Sequence, residues 1–485
     1  MMTMTVYGGM VDEAPPSGMP PEMNLAPRDV EQLMAELMGY HAIFAPLFLR
    51  QEQREWSIKY LQGQMLHIER KSIEPMALAL EGGDVQAMQQ FIGNGAWDDE
   101  LILKTHQQLV AETLGDSRTG VLVVDGCDFP KQGETSVGVA RQYCGALGKV
   151  ANCQASVVAC YASERGYTLV DRRLYMPEKW LSEDYAERRE ECGVPADLTF
   201  HTQPELAWQM IDTLHKRGVL PFQWVTFDEH FGNNPQLLDR VGTVGLLYLA
   251  EVPHDARVWL TRPRTEVPPA KGKGRPTTRE QLCEGEPDPV RVDRLAEQLP
   301  NGKWLRYEIK EGAKGPMVAE FAFMRAVAAR NGLPGPEVWV VLRRSLGEKP
   351  ELKAYLSNAP AATPYSEFVR VSGMRWPVET AIEESKGELG MDHYQVRGWT
   401  GWHHHMTMTF LSHHFLVRLR IQLGGKITSP HGTAGSAIAE RRPAPKAARS
   451  RDSHRSHLQN PAPELCSLLL SPPTHSPAAR QFVTK

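Results

Sequence analysis

The sequence predicts an α/β fold: a mixed sheet with flanking helices, preceded by an all-α region and interrupted by a β-rich insertion. Residues 118–228 contain short apolar runs bounded by turn residues, then one amphipathic segment, then another apolar run. This is the pattern of buried strands around a crossover helix. Residues 28–113 repeat apolar side chains every three or four positions, as helices do. Several β-type segments separated by Gly/Pro turns follow in residues 243–365.

The first part of the chain divides into a leader and a helical domain. Residues 1–26 are rich in proline, methionine and glycine without any periodicity, a composition that predicts disorder. Residues 27–115 contain VEQLMAELMGYHAIF and ELILKTHQQLVAETL, both with helical spacing of apolar residues. We therefore expect a helical N-terminal domain.

Two acids follow apolar runs in residues 116–242, the first part of the predicted sheet. Asp125 ends the run GVLVV, and Asp228 ends FQWVTF. In open α/β sheets ligands collect at the carboxyl ends of strands, where both aspartates are expected to lie. A single aspartate after a strand is, however, more often a turn or cap residue.

A third acid lies in RWPVE, within the predicted C-terminal helices of residues 366–424. Proline favours the first turn of a helix, so Glu379 lies about one turn in and Lys386 almost two turns further along the same face. Arg375 precedes both. Two strand-end aspartates and one helix glutamate would supply the oxygen ligands that Mg²⁺ or Mn²⁺ prefers, and the nearby cations suit a phosphate.

Several long blocks of sequence resemble one family. They are VDGCDFPKQG, SVGVARQYCGALGKVANCQ, RGYTLVDRRLYMPEKW, WVTFDEHFGNNP, AEVPHDARVW and RWPVETAIEESKGELGMDHYQVRGW, within residues 28–424. In this order they resemble insertion-sequence transposases of the DDE superfamily, in the branch with a Tyr-Arg-Glu-Lys signature. That branch has an RNase H-like catalytic core with a β-rich insertion. The resemblance therefore implies that the predicted sheet is RNase H-like.

The resemblance also implies roles for individual residues. Asp125, Asp228 and Glu379 would be the catalytic, metal-binding triad, holding two Mg²⁺ or Mn²⁺ ions. Arg375 and Lys386 would contact DNA phosphate.

Two positions depart from the family pattern, and two acids compete with the triad. Ser372 stands where the signature has tyrosine, and Phe227 precedes the second aspartate where a small residue is expected. Asp128 is an alternative to Asp125, and Glu383 lies one helical turn from Glu379.

The β-rich insertion, residues 243–365, explains why about 150 residues separate Asp228 from Glu379, far more than one connection needs. It contains a basic Gly/Pro-rich segment, residues 261–279, which could be a DNA arm in a minor groove or a solvated loop. Trp259, Trp304 and Trp339 could each stack a flipped base or pack in the sheet. The cations of the candidate arm are Arg262, Arg264, Lys271, Lys273, Arg275 and Arg279.

Composition limits the remaining possibilities. The formal net charge of −4 does not indicate a general DNA-coating protein, so any DNA surface must be local. The seven cysteines form no CxxC pair, which favours reduced thiols in the cytoplasm. The histidines between His403 and His414 lack the spacing of a zinc site and lie among core-type residues. Residues 425–485 predict a disordered basic tail.

These observations together predict a DNA transposase. It would bind the ends of its own insertion sequence, cleave them by metal-dependent hydrolysis and join the 3′-OH to target DNA. Its partners would be double-stranded DNA, as terminal inverted repeats and as target, and a second copy of the chain in a homodimer on DNA. The helical domain could read the DNA ends or could be only a packed bundle. We expect a bacterial cytoplasmic, nucleoid-associated protein without a membrane partner. The alternatives are an RNase H-like nuclease without strand transfer and an inactive DNA-binding remnant.

Overall fold

The structure is a computed structural model that describes residues 27–268, 278–312, 315–347 and 349–423. The leader predicted for residues 1–26 and the tail predicted for residues 425–485 lie outside the described residues. The side chains of Asp84 and Asp98 cap two of the N-terminal helices by accepting main-chain N–H groups. These helices are α1 (Pro27–Phe44), α2 (Gln51–Met65), α3 (Ile73–Ala79), α4 (Val85–Gly93) and α5 (Asp99–Leu114).

The elements of the core follow in the predicted order. They are β1 (Val121–Pro130), β2 (Ala140–Cys144), β3 (Lys149–Ser163), β4 (Gly166–Leu174), α6 (Ala186–Glu191), α7 (Gln203–Arg217), β5 (Trp224–Phe227), α8 (Glu229–Gly232), α9 (Pro235–Thr243) and β6 (Leu247–Val252). The crossover helix α7 begins at a capping box formed by Thr202 and Glu205 and ends at Gly218, whose φ of 62° suits glycine.

The core strands are arranged β4-β3-β1-β5-β6. Strands β1, β5 and β6 are parallel, whereas β3 is antiparallel to both β1 and β4. Three consecutive antiparallel strands followed by two strands parallel to the first is the RNase H-like arrangement. The predicted fold class is therefore confirmed.

Strand β6 differs from its predicted location. The sequence placed it in the inserted β-rich domain from residue 243, but it pairs in parallel with β5 and belongs to the core sheet. Its run LYLA is mostly buried, as expected for an inner strand covered on both faces.

The sheet continues from β6 into the insertion without a break. Strand β14 pairs antiparallel with β6, and the order continues β14-β13-β12-β7-β10, with β11 also on β12. Strand β14 was not predicted from the sequence. The elements are β7 (Arg257–Trp259), β8 (Thr265–Glu266), β9 (Gln281–Leu282), β10 (Val290–Arg291), α10 (Val292–Gln298), β11 (Leu305–Gly312), β12 (Gly315–Arg330), β13 (Leu333–Ser345) and β14 (Leu352–Ser357).

The C-terminal helices cover one face of the sheet. They are α11 (Tyr365–Gly373), α12 (Trp376–Leu389) and α13 (Trp399–Leu423). Val378 and Ala381 of α12 pack in the same apolar cluster as Val123 and Cys127 of β1, whereas the intervening Val124 packs in the cluster on the opposite face with α7. No helix in the described part of the chain is long and apolar enough to cross a membrane.

The histidines of α13 are core residues. His405 accepts a hydrogen bond at Nδ1 from the Tyr60 hydroxyl (2.7 Å), and its Nε2 donates to the Met391 carbonyl (3.1 Å), so a neutral imidazole satisfies both contacts. His404 stacks on Trp97 with ring centroids 3.6 Å apart. Burial lowers the pKa of His405 to about 4. These contacts tie α13 to the N-terminal helices.

We predict that the protein loses stability steeply in mild acid. Burial lowers the folded pKa values of His106 and His405 to about 4, below the unfolded value of about 6.5. Their stabilisation is complete above pH 6.5 and declines as the pH falls towards 4, by up to ~1.4 kcal/mol per pH unit for each histidine. Urea unfolding at pH 7, 6, 5 and 4.5 measures this decline.

The variant His405→Gln tests the assignment. It should be less stable than the wild type at pH 7, and its stability should depend less on pH. The exposed His215 provides the matched control, because His215→Gln should leave the pH profile unchanged. Equal slopes for the wild type and His405→Gln would contradict the prediction.

Candidate active site

Three acids lie in one row across adjacent parallel strands. Asp228 and Glu251 lie at the carboxyl ends of β5 and β6, whereas Asp125, which the sequence placed at a strand end, lies in the middle of β1, directly after the last residue that pairs with β5. Val124 of β1 is in register with Phe227 of β5, and Phe227 is in register with Ala250 of β6. The next residues are therefore Asp125, Asp228 and Glu251, which we call the acid row. The alternation of buried residues assigns all three to the sheet face covered by α11 and α12.

The two aspartates of the acid row repel each other. Burial and, to a smaller extent, the neighbouring Asp228 carboxylate raise the pKa of Asp125 to about 7, although Arg375 opposes both effects. Burial also raises the pKa of Asp228. In addition, Asp228 accepts the Phe231 N–H (3.2 Å) at the start of α8, so it caps a helix as well. Asp125 and Asp228 can both be ionised only if a positive charge lies nearby.

Arg375 provides that charge. Its Nη2 lies 2.5 Å from Glu379 Oε1, and its Nε lies 3.5 Å from Glu251 Oε2. The Arg375 side chain is only 15% exposed, so its charge is poorly screened by water. The guanidinium therefore links the predicted helix glutamate to the acid row.

Glu251 is a site residue that the sequence analysis missed. Besides Arg375 it binds Lys353 of β14, with Nζ 3.0 Å from Oε1. The signal was present, because GLLYLAE is an apolar run ending in an acid, as are the runs that end at Asp125 and Asp228. It was overlooked because the strand was placed in the insertion.

Asp128, the competitor of Asp125, faces the other way. It lies three residues further along β1, and side chains three positions apart in a strand point to opposite faces. Its Oδ2 accepts the Gly145 N–H (2.5 Å), and its carbonyl accepts a hydrogen bond from Lys386 Nζ (2.9 Å). Glu383, the competitor of Glu379, is exposed on α12.

Both departures from the family pattern are buried. The Ser372 hydroxyl donates to the Val369 carbonyl (2.7 Å) within α11. Phe227 packs near Phe231 with ring centroids 6.4 Å apart. Both residues therefore have packing roles here.

The candidate DNA arm is partly held against the insertion. Arg262 donates to the Gly335 carbonyl (2.8 Å), Arg264 pairs with Glu286 (2.6 Å), and Arg279 is exposed. The short strands β8 and β9 pair at its base. Lys271, Lys273 and Arg275 lie outside the described residues.

The three tryptophans of the insertion are buried. Trp259 donates to the Pro287 carbonyl and Trp339 to the Pro360 carbonyl, while Arg344 lies over the ring of Trp304. Their exposed fractions are 2%, 6% and 8% respectively. Of the two interpretations left open by the sequence, packing in the sheet is the one observed.

Comparison with known proteins identifies the family. The family model described as "DDE superfamily endonuclease" matches residues 43–316, more than half of the chain. The chain belongs to this superfamily. The predicted membership is thus confirmed, and the matched span includes the whole acid row but not Glu379.

One relative and one structure add to this comparison. A "Probable transposase for insertion sequence element IS701" from Microchaete diplosiphon is 23% identical over 342 residues, which cover 70% of this chain and 76% of that protein. The NurA nuclease from Sulfolobus solfataricus is 11% identical and covers 61% of this chain and 86% of its own, with a TM-score of 0.25. That score is too low to bear on the fold.

The acid row and Glu379 have the type of oxygen ligand that binds a divalent cation, but their side chains are not arranged around a common metal position. Asp125 and Asp228 offer carboxylate oxygens that burial and mutual repulsion leave in need of a cation, and Glu251 Oε2 is buried without a hydrogen bond. Among the described residues, however, no group of three or more His, Cys, Asp or Glu side chains is placed to hold a metal. Glu379 is instead paired with Arg375.

We predict that Asp125→Asn stabilises the metal-free protein. A carboxylate with a raised pKa costs stability increasingly between about pH 4 and pH 7, and fully above pH 7. Removing its charge should raise the free energy of unfolding by about 1 to 2 kcal/mol at pH 8 and by less at pH 5. Thermal melts in EDTA measure the difference. A melting temperature equal to that of the wild type at pH 8 would contradict the prediction.

Added Mg²⁺ provides a second measurement on the same protein. A cation between the repelling acids should raise the melting temperature of the wild type and should raise that of Asp125→Asn much less. Asp128→Asn is the matched control on the opposite face of the same strand. It should keep the full response to Mg²⁺.

Proposed function

We propose that this chain is a transposase that binds the ends of its own insertion sequence, cleaves them and joins the freed 3′-OH to target DNA. The observation that carries the proposal is the acid row across β1, β5 and β6, facing the helix with Glu379. Membership of the DDE superfamily and the likeness to a probable transposase support it.

In this proposal Asp125, Asp228 and Glu379 hold two Mg²⁺ or Mn²⁺ ions. When bound, the ions would supply Lewis-acid stabilisation of charge on the reacting phosphate. Lys386 donates to a main-chain carbonyl at the edge of the site, and its ammonium group retains donors for a DNA phosphate. The aspartates are placed by strand register, whereas Glu379 depends on the conformation of a side chain that is 40% exposed.

The reaction needs no covalent bond to the protein. In the first step water adds to the phosphorus at the element end, and the bond to the 3′ oxygen breaks, leaving a 3′-OH and a 5′-phosphate. In the second step that 3′-OH attacks a target phosphodiester, and the target strand leaves with its own 3′-OH. Each step breaks one P–O bond, forms another and transfers one proton from the nucleophile to the leaving oxygen.

Arg375 has two roles in the proposal. Without DNA its guanidinium pairs with Glu379 and Glu251 and occupies the position of a counter-ion. A DNA phosphate would compete for the same guanidinium. Transfer of Arg375 to phosphate would free Glu379 for the metal, so metal binding and DNA binding would favour each other.

The remaining parts of the proposal concern the assembly on DNA. The helices of residues 27–115 would read the element ends, the basic segment of residues 261–279 would contact a groove, and two chains would bring two ends together. Residues 116–242, strand β6 and the helices of residues 366–424 would form the core, with the rest of the β-rich insertion between them. The exposure of Arg279 supports the proposed contact between the basic segment and DNA.

The first test of the proposal is cleavage of DNA carrying the element ends. Asp125→Asn should abolish Mg²⁺-dependent cleavage while leaving end binding intact, because it removes a metal ligand without changing shape. The matched control Asp128→Asn should still cleave. An active Asp125→Asn protein would refute the assignment, and an inactive wild type would indicate a remnant.

Strand transfer is tested separately with an end duplex that already carries the free 3′-OH. The wild type should join it to a supercoiled plasmid, converting the plasmid to open-circle and linear products. Cleavage of the ends without joining would instead identify a nuclease.

The second test addresses Arg375 through metal affinity. Mn²⁺ binding is measured by the loss of the free Mn²⁺ signal in electron paramagnetic resonance, without DNA. Arg375→Ala should bind Mn²⁺ about three- to tenfold more tightly than the wild type, because Glu379 loses a partly exposed ion pair. Unchanged or weaker binding by a folded Arg375→Ala protein would refute the role.

A double-mutant cycle separates this effect from the general loss of a positive charge. Glu379→Gln alone should bind Mn²⁺ more weakly than the wild type. In that background Arg375→Ala should produce little further gain, because the carboxylate that it would free is absent. A gain of equal size in both backgrounds would show a general charge effect.

A further inference from the structure

The β2–β3 hairpin exposes an unusual group of apolar side chains. Tyr143 is 66% exposed, Val150 54% and Leu147 46%. Tyr143 is the most exposed aromatic residue in the described part of the chain, ahead of Tyr365 and Phe200 at 39% and 38%. Tyr143 and Val150 lie directly opposite each other on the two strands. We call Tyr143, Leu147 and Val150 the hairpin tip.

The hairpin tip continues the face of the sheet that carries the acid row. Along β3, Val158 and Cys160 pack in the cluster with α12, so Val150 has the same parity and the same face. Its partner Tyr143 is on that face too. The sheet face that α12 covers at the acid row is therefore exposed to solvent at the hairpin.

Hydrogen bonds connect the hairpin to the candidate active site. The Gly145 N–H, in the turn between the strands, donates to Asp128 Oδ2 (2.5 Å), and the main-chain carbonyl of Asp128 accepts from Lys386 (2.9 Å). Asn152 at the base of the hairpin donates to the carbonyls of Lys131 and Gly133. A phosphate bound at Lys386 would thus lie close to a hairpin whose position is fixed at both ends.

The charge of the hairpin favours nucleic acid. Within residues 140–153 the charged side chains are Arg141, on the same face of β2 as Tyr143, and Lys149, on the opposite face of β3. Both are exposed, and there is no acid. Cations beside an exposed aromatic ring are the combination that binds the backbone and bases of unpaired strands. The hairpin is also too small for a stable contact between two chains, which takes about 20 to 30 residues a side.

We propose that the hairpin tip is a stacking site for an unpaired nucleotide next to the cleaved phosphate. The phenol ring of Tyr143 stacks on the base, Val150 and Leu147 support it, and Arg141, on the same face of β2, contacts a flanking phosphate. The occupant is single-stranded DNA at the end of a duplex. This inference rests on the proposed function, because it places DNA at the acid row.

The test measures DNA affinity with the full-length chain in EDTA, which prevents cleavage. The probes are a fluorescein-labelled duplex with a five-thymine 5′ overhang and the matched blunt duplex. Tyr143→Ala should weaken binding of the overhang duplex about five- to 150-fold and leave the blunt duplex unchanged. Tyr143→Phe keeps the ring and should bind both like the wild type.

Phe200→Ala is the matched control, since it removes an exposed aromatic ring elsewhere and should change neither affinity. Three results would overturn the stacking site: unchanged overhang binding by Tyr143→Ala, equal losses on both duplexes, or a loss in Tyr143→Phe as large as in Tyr143→Ala. A change of oligomeric state in DNA-free Tyr143→Ala, seen by light scattering, would overturn it in favour of a contact between chains.

The assay also separates this inference from the proposed transposase activity. A wild type that binds the overhang through Tyr143 but never cleaves would retain the stacking site and refute the catalytic role. A wild type that cleaves the ends, together with normal overhang binding by Tyr143→Ala, would support the catalytic role and refute the stacking site.

Discussion

The repulsion among carboxylates in one row across three parallel strands is the constraint around which the site is built. Strand register places Asp125, Asp228 and Glu251 side by side, and burial strengthens their repulsion by reducing screening. The fold compensates with Arg375 from the start of α12 and Lys353 from β14. Both the C-terminal helices and the insertion are therefore electrostatically coupled to the core strands.

This coupling gives the insertion a role in the site. Strand β14 extends the sheet beyond β6, and Lys353 reaches back to Glu251, which leaves Arg375 shared between Glu251 and Glu379. If Lys353 were absent, Glu251 would have only Arg375 as a cationic neighbour and would compete more strongly with Glu379 for it. The insertion thus influences how readily Glu379 becomes available.

Much of the fold could be predicted from the sequence because it depends on local patterns. The apolar runs ending at Asp125 and Asp228 identify inner strands, and the turn residues between them limit the possible order. What could not be predicted depends on long-range pairing. Strand β6 and Glu251 follow the same local pattern, but only the parallel register with β5 assigns them to the core.

The sequence could name candidate site residues but not the contacts that they make. Spacing places Glu379 one turn after Arg375, and the same spacing lets the two form an ion pair four residues apart. A sequence cannot show whether a carboxylate faces a metal or its neighbouring arginine, because both arrangements use the same helix. Whether Glu379 binds a metal or pairs with Arg375 depends on which cation lies nearer the acid row. Because phosphate attracts arginine, bound DNA would draw Arg375 away and favour the metal. A protein that needs DNA to complete its metal site would be restrained from cutting without it.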